Sequence, residues 1–347
     1  RHLLSHSSGL APYRPFFSEL VGVASEKRRE AIVSMILDDT LQSVPGEVAS
    51  YSDFGFILLG VILEEILGDR LDRLADKLLF MPLDMDELHF CPIKTGFSPE
   101  TRPERETTHP YLEEYSEFER SASSPESGTS FSPVMAPRRK DLSPNPGAPP
   151  GMRTTPTCQA PLPANLSIHP SSCGKVGRRW NGAELYIQFA ATEVCPWRKR
   201  LLVGEVSDEN AWALGGVAGH AGLFGTARGV FAFVSHLRDI YTKECRKSFV
   251  SPEILQLFWT RAGLPEDSTW ALGYDTPSPV GSSAGRYFSQ KSVGHLGFTG
   301  TSFWFDLQRD RIVVLLSNRV HPTRENEAFK KFRPVVHDLV MEAVYGT

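Results

Sequence analysis

Between Glu26 and Leu41 the apolar residues Ile32, Val33, Met35, Ile36 and Leu41 recur at the three-to-four spacing of a helix with one buried face. The same spacing predicts helices over Phe54–Leu67, which Gly68 ends, and over Leu71–Phe80, Ala227–Tyr241, Ser251–Thr260 and Glu325–Tyr345. In the last of these, Phe329, Phe332, Val336, Leu339 and Val340 are expected to point inward. Residues 1–13 read as a short helix stopped by Gly9 and Pro12, and Trp270–Tyr274 as a short strand. Strict alternation comes late in the chain. Phe303 and Phe305, then Ile312–Leu316, give the two strands of a hairpin around Asp306–Asp310. The stretch Gly294-His295-Leu296-Gly297-Phe298-Thr299-Gly300-Thr301 stands at its entry, where missing side chains let a ligand or another backbone come close.

Between these patterned regions the periodicity stops. Eleven of the 26 prolines fall between Ser121 and Lys175, among Ser, Thr and Gly. Such a segment buries too little apolar surface to offset its ordering entropy, so disorder is expected from about residue 106 to 187.

Composition narrows the class. The 347 residues are 41% hydrophobic and 22% charged, enough for a sizeable core. A formal charge of -4 leaves no basic footprint, which argues against nucleic acid as a partner. The longest apolar run, Phe54–Leu67, is broken by Gly60, Glu64 and Glu65, so no transmembrane segment is expected. Cys91, Cys158, Cys173, Cys195 and Cys245 are odd in number and widely spaced, giving neither a zinc pattern nor a disulfide framework. The opening Arg1-His2-Leu3-Leu4 has no initiator Met, and the chain reads as an excerpt of something longer.

Candidate chemistry is scattered. His2 and His6 stand four apart, but no third ligand or helical Glu accompanies them, so no metal is expected. Tyr51-Ser52-Asp53 lies where a loop enters an apolar helix, with Ser52 or Asp53 as N-cap; the helix N-terminus there favours negative charge. Lys94-Thr95-Gly96 runs into Pro and charge, as a surface loop does. The single Ser-x-x-Lys, Ser172 to Lys175, falls in the proline-rich segment and lacks the buried helix such a nucleophile needs. Five glycines surround His220, yet neither a P-loop nor a dinucleotide fingerprint is present, so no cofactor is expected.

Four separated stretches together resemble the serine β-lactamase-like family of class C β-lactamases, D-alanyl-D-alanine carboxypeptidases and esterases. They are Leu3-Leu4-Ser5-His6-Ser7-Ser8-Gly9-Leu10, Tyr51-Ser52-Asp53 with its helix, Gly219-His220-Ala221-Gly222-Leu223-Phe224, and His295-Leu296-Gly297-Phe298-Thr299-Gly300. The resemblance implies an α/β fold of the α+β type, in which an antiparallel β-sheet is flanked by helices and joined by a helical subdomain. Residues 1–105 would form its helical part and 188–347 its remainder, with 106–187 as an unrelated insert.

It also implies an acyl-enzyme hydrolase in which Tyr51 moves the proton of a nucleophilic Ser, Asp53 stands where many members have Asn, and His295 stands where they have Lys. Gly297 is the box glycine, the Phe298 amide the oxyanion donor, and His220, Gly222 and Thr299 contact a small-molecule or peptide substrate. The family's Ser-x-x-Lys precedes the Leu3–Leu10 stretch, so the N-terminal strands and nucleophile helix are expected to be missing and the chain inactive. Losing a Lys and gaining an Asp both make a tyrosinate harder to form, which favours a peptidase- or esterase-like member over a true β-lactamase. A non-catalytic module binding cell-wall peptides on the same fold is the alternative, and a periplasmic or secreted bacterial location follows from the resemblance alone.

Overall fold

The computed structural model describes residues 1–93, 175–180, 183–245 and 248–345. Its helices are α1 (Phe17–Leu20), α2 (Arg28–Asp38), α3 (Asp53–Leu67), α4 (Leu71–Ala75), α5 (Glu209–Ala213), α6 (Ala227–Tyr241), α7 (Pro252–Phe258) and α8 (Ala328–Tyr345). The strands are β1 (Leu88–Phe90), β2 (Lys175–Trp180), β3 (Ala183–Gln188), β4 (Ala191–Cys195), β5 (Arg200–Val203), β6 (Leu223–Gly225), β7 (Ser292–Leu296), β8 (Ser302–Asp306) and β9 (Arg311–Leu315). Every pairing is antiparallel: β1 with β6, β2 with β3, β4 with β5, and a meander in the order β7-β8-β9. Among the described residues no helix is long and apolar enough to cross a membrane.

Helical periodicity located α2, α3, α6 and α7 closely. Gly68 ends α3 in the left-handed region at φ 69°, as a C-terminal glycine does. Ser52 occupies the N-cap position, but its hydroxyl donates to Ala11 O at 2.8 Å instead of capping. The helix expected over Leu71–Phe80 changes character at Asp76, where a π turn runs to Phe80.

Four expectations need correction. Residues 1–13 form turns, because Ser5, His6 and Ser7 are buried and bonded to a neighbouring loop. Trp270–Tyr274 makes only an isolated bridge, Trp270 with Asp275, while Asp275 bridges Gly294. The late hairpin is three strands, since Gly294 sits mid-strand opposite Trp304; a Cβ on it would come within 2.6 Å of the indole. In α8 the period was right and the phase wrong: Arg333, His337 and Met341 face inward, whereas Phe332 and Leu339 are 54% and 56% exposed. The inner face of α8 reads the β7–β8 region, with Met341 packing on Trp304, His337 Nε2 lying 3.2 Å from Ser302 Oγ, and Arg333 donating to Gly297 O.

The Lys94 and Ser172 readings, and the disorder expected between residues 106 and 174, lie outside the described residues. The antiparallel pair β2–β3 lies in the last part of that expected insert.

Two clusters of buried side chains hold the elements that carry the candidate site residues. One joins Ile32 and Ile36 of α2, Phe54 and Ile57 of α3, and Trp212 of α5. The other seats Val234, Leu237 and Ile240 of α6 against Val293 of β7 and Phe305 of β8.

Candidate active site

The loop before α1 is sewn to the loop before α3. Ser50 N donates to His6 O at 2.8 Å, Gly46 N to Ser7 O at 2.7 Å, and Asp53 N to Pro12 O at 3.1 Å. His6 sits at φ 53°, a backbone region that a non-glycine residue occupies only when its surroundings hold it there. Its Nδ1 accepts from Ser52 N at 3.1 Å, which fixes a neutral ring. Burial first, and then the cost of a second imidazolium beside His295, lowers its pKa to about 4.

This stitching presents Tyr51 beside β7. The Tyr51 and His295 rings are 6.3 Å apart, from opposite ends of the chain. His6 lies 4.5 Å from Tyr51 and 4.4 Å from Trp270, and Trp270 lies 5.8 Å from His295. Tyr51 keeps 44% of its surface exposed, so the cluster offers an open aromatic face. Burial, and then the charge of the nearby Asp53 carboxylate and hydrogen bonding toward it, push the phenol well above its ordinary value.

His295, one residue before the end of β7, has Nδ1 2.9 Å from Leu296 O, so Nδ1 carries a proton and in the neutral ring Nε2 is left as an acceptor. Burial depresses its pKa. A neutral Nε2 takes a hydrogen bond from an N–H or O–H group; it does not donate one to a carbonyl or carboxylate.

After β7 the chain turns tightly. Gly297 N donates to Thr301 O at 2.8 Å and Gly300 N to Gly297 O at 3.1 Å, with Gly300 at φ 105°. The turn's carbonyls are all held from behind: Arg333 Nη2 donates to Gly297 O, Arg319 Nε to Phe298 O, Arg319 N to Thr299 O, and Ser317 Oγ to Gly300 O. In a trans peptide the N–H points opposite to the C=O, so the Arg333 bond to Gly297 O aims the Phe298 N–H the other way. That amide has no hydrogen-bond partner among the described residues.

Behind Tyr51 lies a charged trio. Asp208 caps α5 by accepting from Ala211 N at 2.7 Å, and His220 Nε2 is 2.8 Å from the same oxygen. Backbone contact brings His220 there, since a Cβ on Gly219 would lie 2.0 Å from Phe56 O of α3. One oxygen each of Asp53 and Asp208 and one ring nitrogen of His220 lie within 4.8 Å of one another. These residue types suit a divalent ion, but Asp208 and His220 already satisfy each other at 2.8 Å. Burial alone would lower His220, yet the Asp208 charge and bond, and then Asp53, raise it. Burial alone would raise Asp208, yet His220, the Ala211 amide and Arg324 lower it. For Asp53, burial prevails and its pKa rises.

The structure therefore brings Tyr51, Asp53, His295, Gly297, Phe298 and Thr299 into one region. His220 lies beside Asp53 with its side chain 3% exposed, and Gly222 at φ 111° packs on Gly216 O. Trp270 and Asp208 were not singled out in the sequence, and His6 was weighed there only as a metal ligand beside His2. Only Asp208 carried a local signal, an Asp opening a helical stretch.

Two buried neutral histidines give a pH expectation. His6 and His337 are both lowered to about 4, His337 by burial and then by the Arg333 charge. Between the unfolded value of about 6.5 and that level only the unfolded chain binds their protons, so stability falls as pH drops through the window. The slope is at most about 1.4 kcal/mol per pH unit for each histidine. Urea unfolding at about pH 7 and pH 5 checks it; equal or greater stability at the lower pH would contradict two neutral buried rings.

The Beta-lactamase family model matches residues 1–333. Among curated relatives, the protein named "Putative D-alanyl-D-alanine carboxypeptidase" of Salmonella agona (strain SL483), and its namesake in Salmonella typhi, are each 24% identical over 351 residues. Each alignment covers 99% of this chain and 62% of the relative, so the chain spans about three fifths of the length of the curated relatives it matches. Similar solved structures include EstCE1, a hydrolase with promiscuous acyltransferase activity (15% identity, 96% of this chain and 71% of that one, TM-score 0.47). Another is a penicillin-binding protein from Bacillus halodurans (14% identity, 97% and 72%, TM-score 0.48).

Proposed function

The chain belongs to the Beta-lactamase family, and from the facing of Tyr51 and His295 across 6.3 Å we propose that it forms the proton-transfer and oxyanion sides of an acyl-transfer site. The reaction is cleavage of an amide or ester through an acyl-enzyme, peptidase- or esterase-like rather than a β-lactamase reaction proper.

Tyr51 bridges the nucleophile and Asp53. As a serine hydroxyl attacks the substrate carbonyl, its proton passes to the Tyr51 oxygen while the Tyr51 proton passes to Asp53. No free tyrosinate forms, which suits a phenol held above its ordinary value by burial and by the neighbouring carboxylate. The Phe298 amide, aimed from behind by Arg333, receives the oxyanion. His295 Nε2 accepts a substrate N–H or O–H, and Trp270 with Tyr51 forms the apolar wall for the acyl group.

The nucleophile of this reading is not among the described residues. Ser-x-x-Lys occurs once in the sequence, and Ser172 lies outside them. The 347-residue chain alone is expected to be inert toward a fluorescent penicillin or fluorophosphonate. A longer reading frame that carries Ser-x-x-Lys ahead of Arg1 is expected to be labelled. Thermal stabilisation by cell-wall peptides with no covalent labelling of the longer protein would replace this reading with that of a binding module.

A further inference from the structure

We infer that Asp208 and His220 form a positioning pair that supplies the site's fixed cation from behind and holds the Asp53 carboxylate as acceptor of the Tyr51 hydroxyl. The inference rests on the acyl-transfer reading for the use made of Tyr51, but its structural content does not.

Of the three imidazoles nearest the reaction centre, His6 is held neutral by the bond it accepts and His295 is pushed toward neutrality by burial. His6 accepts a backbone N–H at Nδ1, and His295 donates Nδ1 to a backbone carbonyl. His220 differs: its side chain is 3% exposed and Nε2 meets a carboxylate at 2.8 Å. The nearby guanidinium groups are spent on other partners. Arg324 is tied to Glu193 and Glu209, and Arg319 donates to the carbonyls of Phe298, Arg324 and Asn326. Where family resemblance expects a lysine on the strand, this chain has His295, which is neutral; the positive charge facing Asp53 comes instead from the glycine-rich loop before β6.

The placement is enforced by backbone. Gly219 touches Phe56 O and Gly60 N of α3, so the His220 loop is packed against the helix whose first residue is Asp53. Asp208 cannot drift, because the oxygen that meets His220 also caps α5. The charged and titratable groups facing the pair are Asp53 at the start of α3, Tyr51 beside Asp53, and Tyr13, with Glu209 and Arg324 on the α5 side. A cation between Asp208 and Asp53 keeps two close carboxylates from repelling each other. Without it, Asp53 would hold a proton and could not accept one from Tyr51.

The test uses the whole chain with isotope-labelled histidine and tyrosine, followed by NMR, and needs no catalysis. His220, assigned from a His220→Gln variant, is expected to show an imidazolium signature at about pH 8, well above the ordinary histidine value of about 6.5. Asp208→Asn is expected to make it neutral at that pH and to move the Tyr51 ring resonance, with backbone spectra confirming the fold. A neutral His220 at about pH 8 in the unaltered chain would overturn the inference without any variant. So would a spectrum that changes on adding a chelator, which would make the trio metal ligands, or an Asp208→Asn variant with Tyr51 unmoved. If the imidazolium is found and a longer protein still forms no acyl-enzyme, the acyl-transfer reading fails and the pair stands.

Discussion

Tyr51→Phe in a longer, nucleophile-bearing form of the protein is expected to lower kcat by about 10²–10⁴-fold, the range of a positioned proton-transfer group. The substitution removes one hydroxyl and its interaction with the nearby Asp53 carboxylate. The ring keeps its neighbours, His6 at 4.5 Å and Trp270 at 5.9 Å, so the aromatic face and KM should change little. That split distinguishes proton transfer from substrate packing: a rise in KM at unchanged kcat would make Tyr51 part of the acyl pocket and nothing more. Stability should be nearly unaltered, because the side chain is 44% exposed.

Arg324→Ala is expected to destabilise the fold by about 3–5 kcal/mol, as breaking a buried ion pair from one side does. Arg324 donates to both oxygens of Glu193 at 2.5 and 2.6 Å and to Glu209 at 2.6 Å; Ser207 Oγ donates to Glu193 at 2.9 Å. Glu193 is fully buried and Glu209 nearly so, and without the guanidinium both would be left as uncompensated buried anions. The network joins β4, α5 and the segment before α8, so it also holds Asp208 at the start of α5. A shift in the urea midpoint at unchanged slope would measure it. A loss below about 1 kcal/mol, the worth of an exposed pair, would show that solvent reaches Glu193.

Much of the fold was legible in one sequence because long amphipathic helices carry their own signal. Ala227–Tyr241 was bounded to the residue, and α3 was read with its glycine terminator. The phase of α8 was not legible: its inner face is chosen by what it meets, and Arg333 and His337 turn inward because a carbonyl and a serine wait there. Gly294 as a mid-strand residue was likewise hidden, since only the facing Trp304 explains it. At the site, Tyr51, Asp53, His295 and Phe298 were singled out by motif, and they lie in one region of the fold. His6 and Trp270 join the same cluster through contacts between segments far apart in the chain, which no local pattern encodes. The charge of His220 was also out of reach, because it depends on an Asp twelve residues earlier that two turns of backbone bring to 2.8 Å.

The most direct test is the intact mass of a longer, Ser-x-x-Lys-bearing protein during turnover of an acyl ester or acyl-D-alanine peptide. An acyl adduct on that serine is expected to form in the unaltered protein and to be suppressed by Tyr51→Phe. An adduct on another residue, or turnover in which no adduct ever forms and Tyr51→Phe changes nothing, would contradict an acyl-enzyme served by Tyr51.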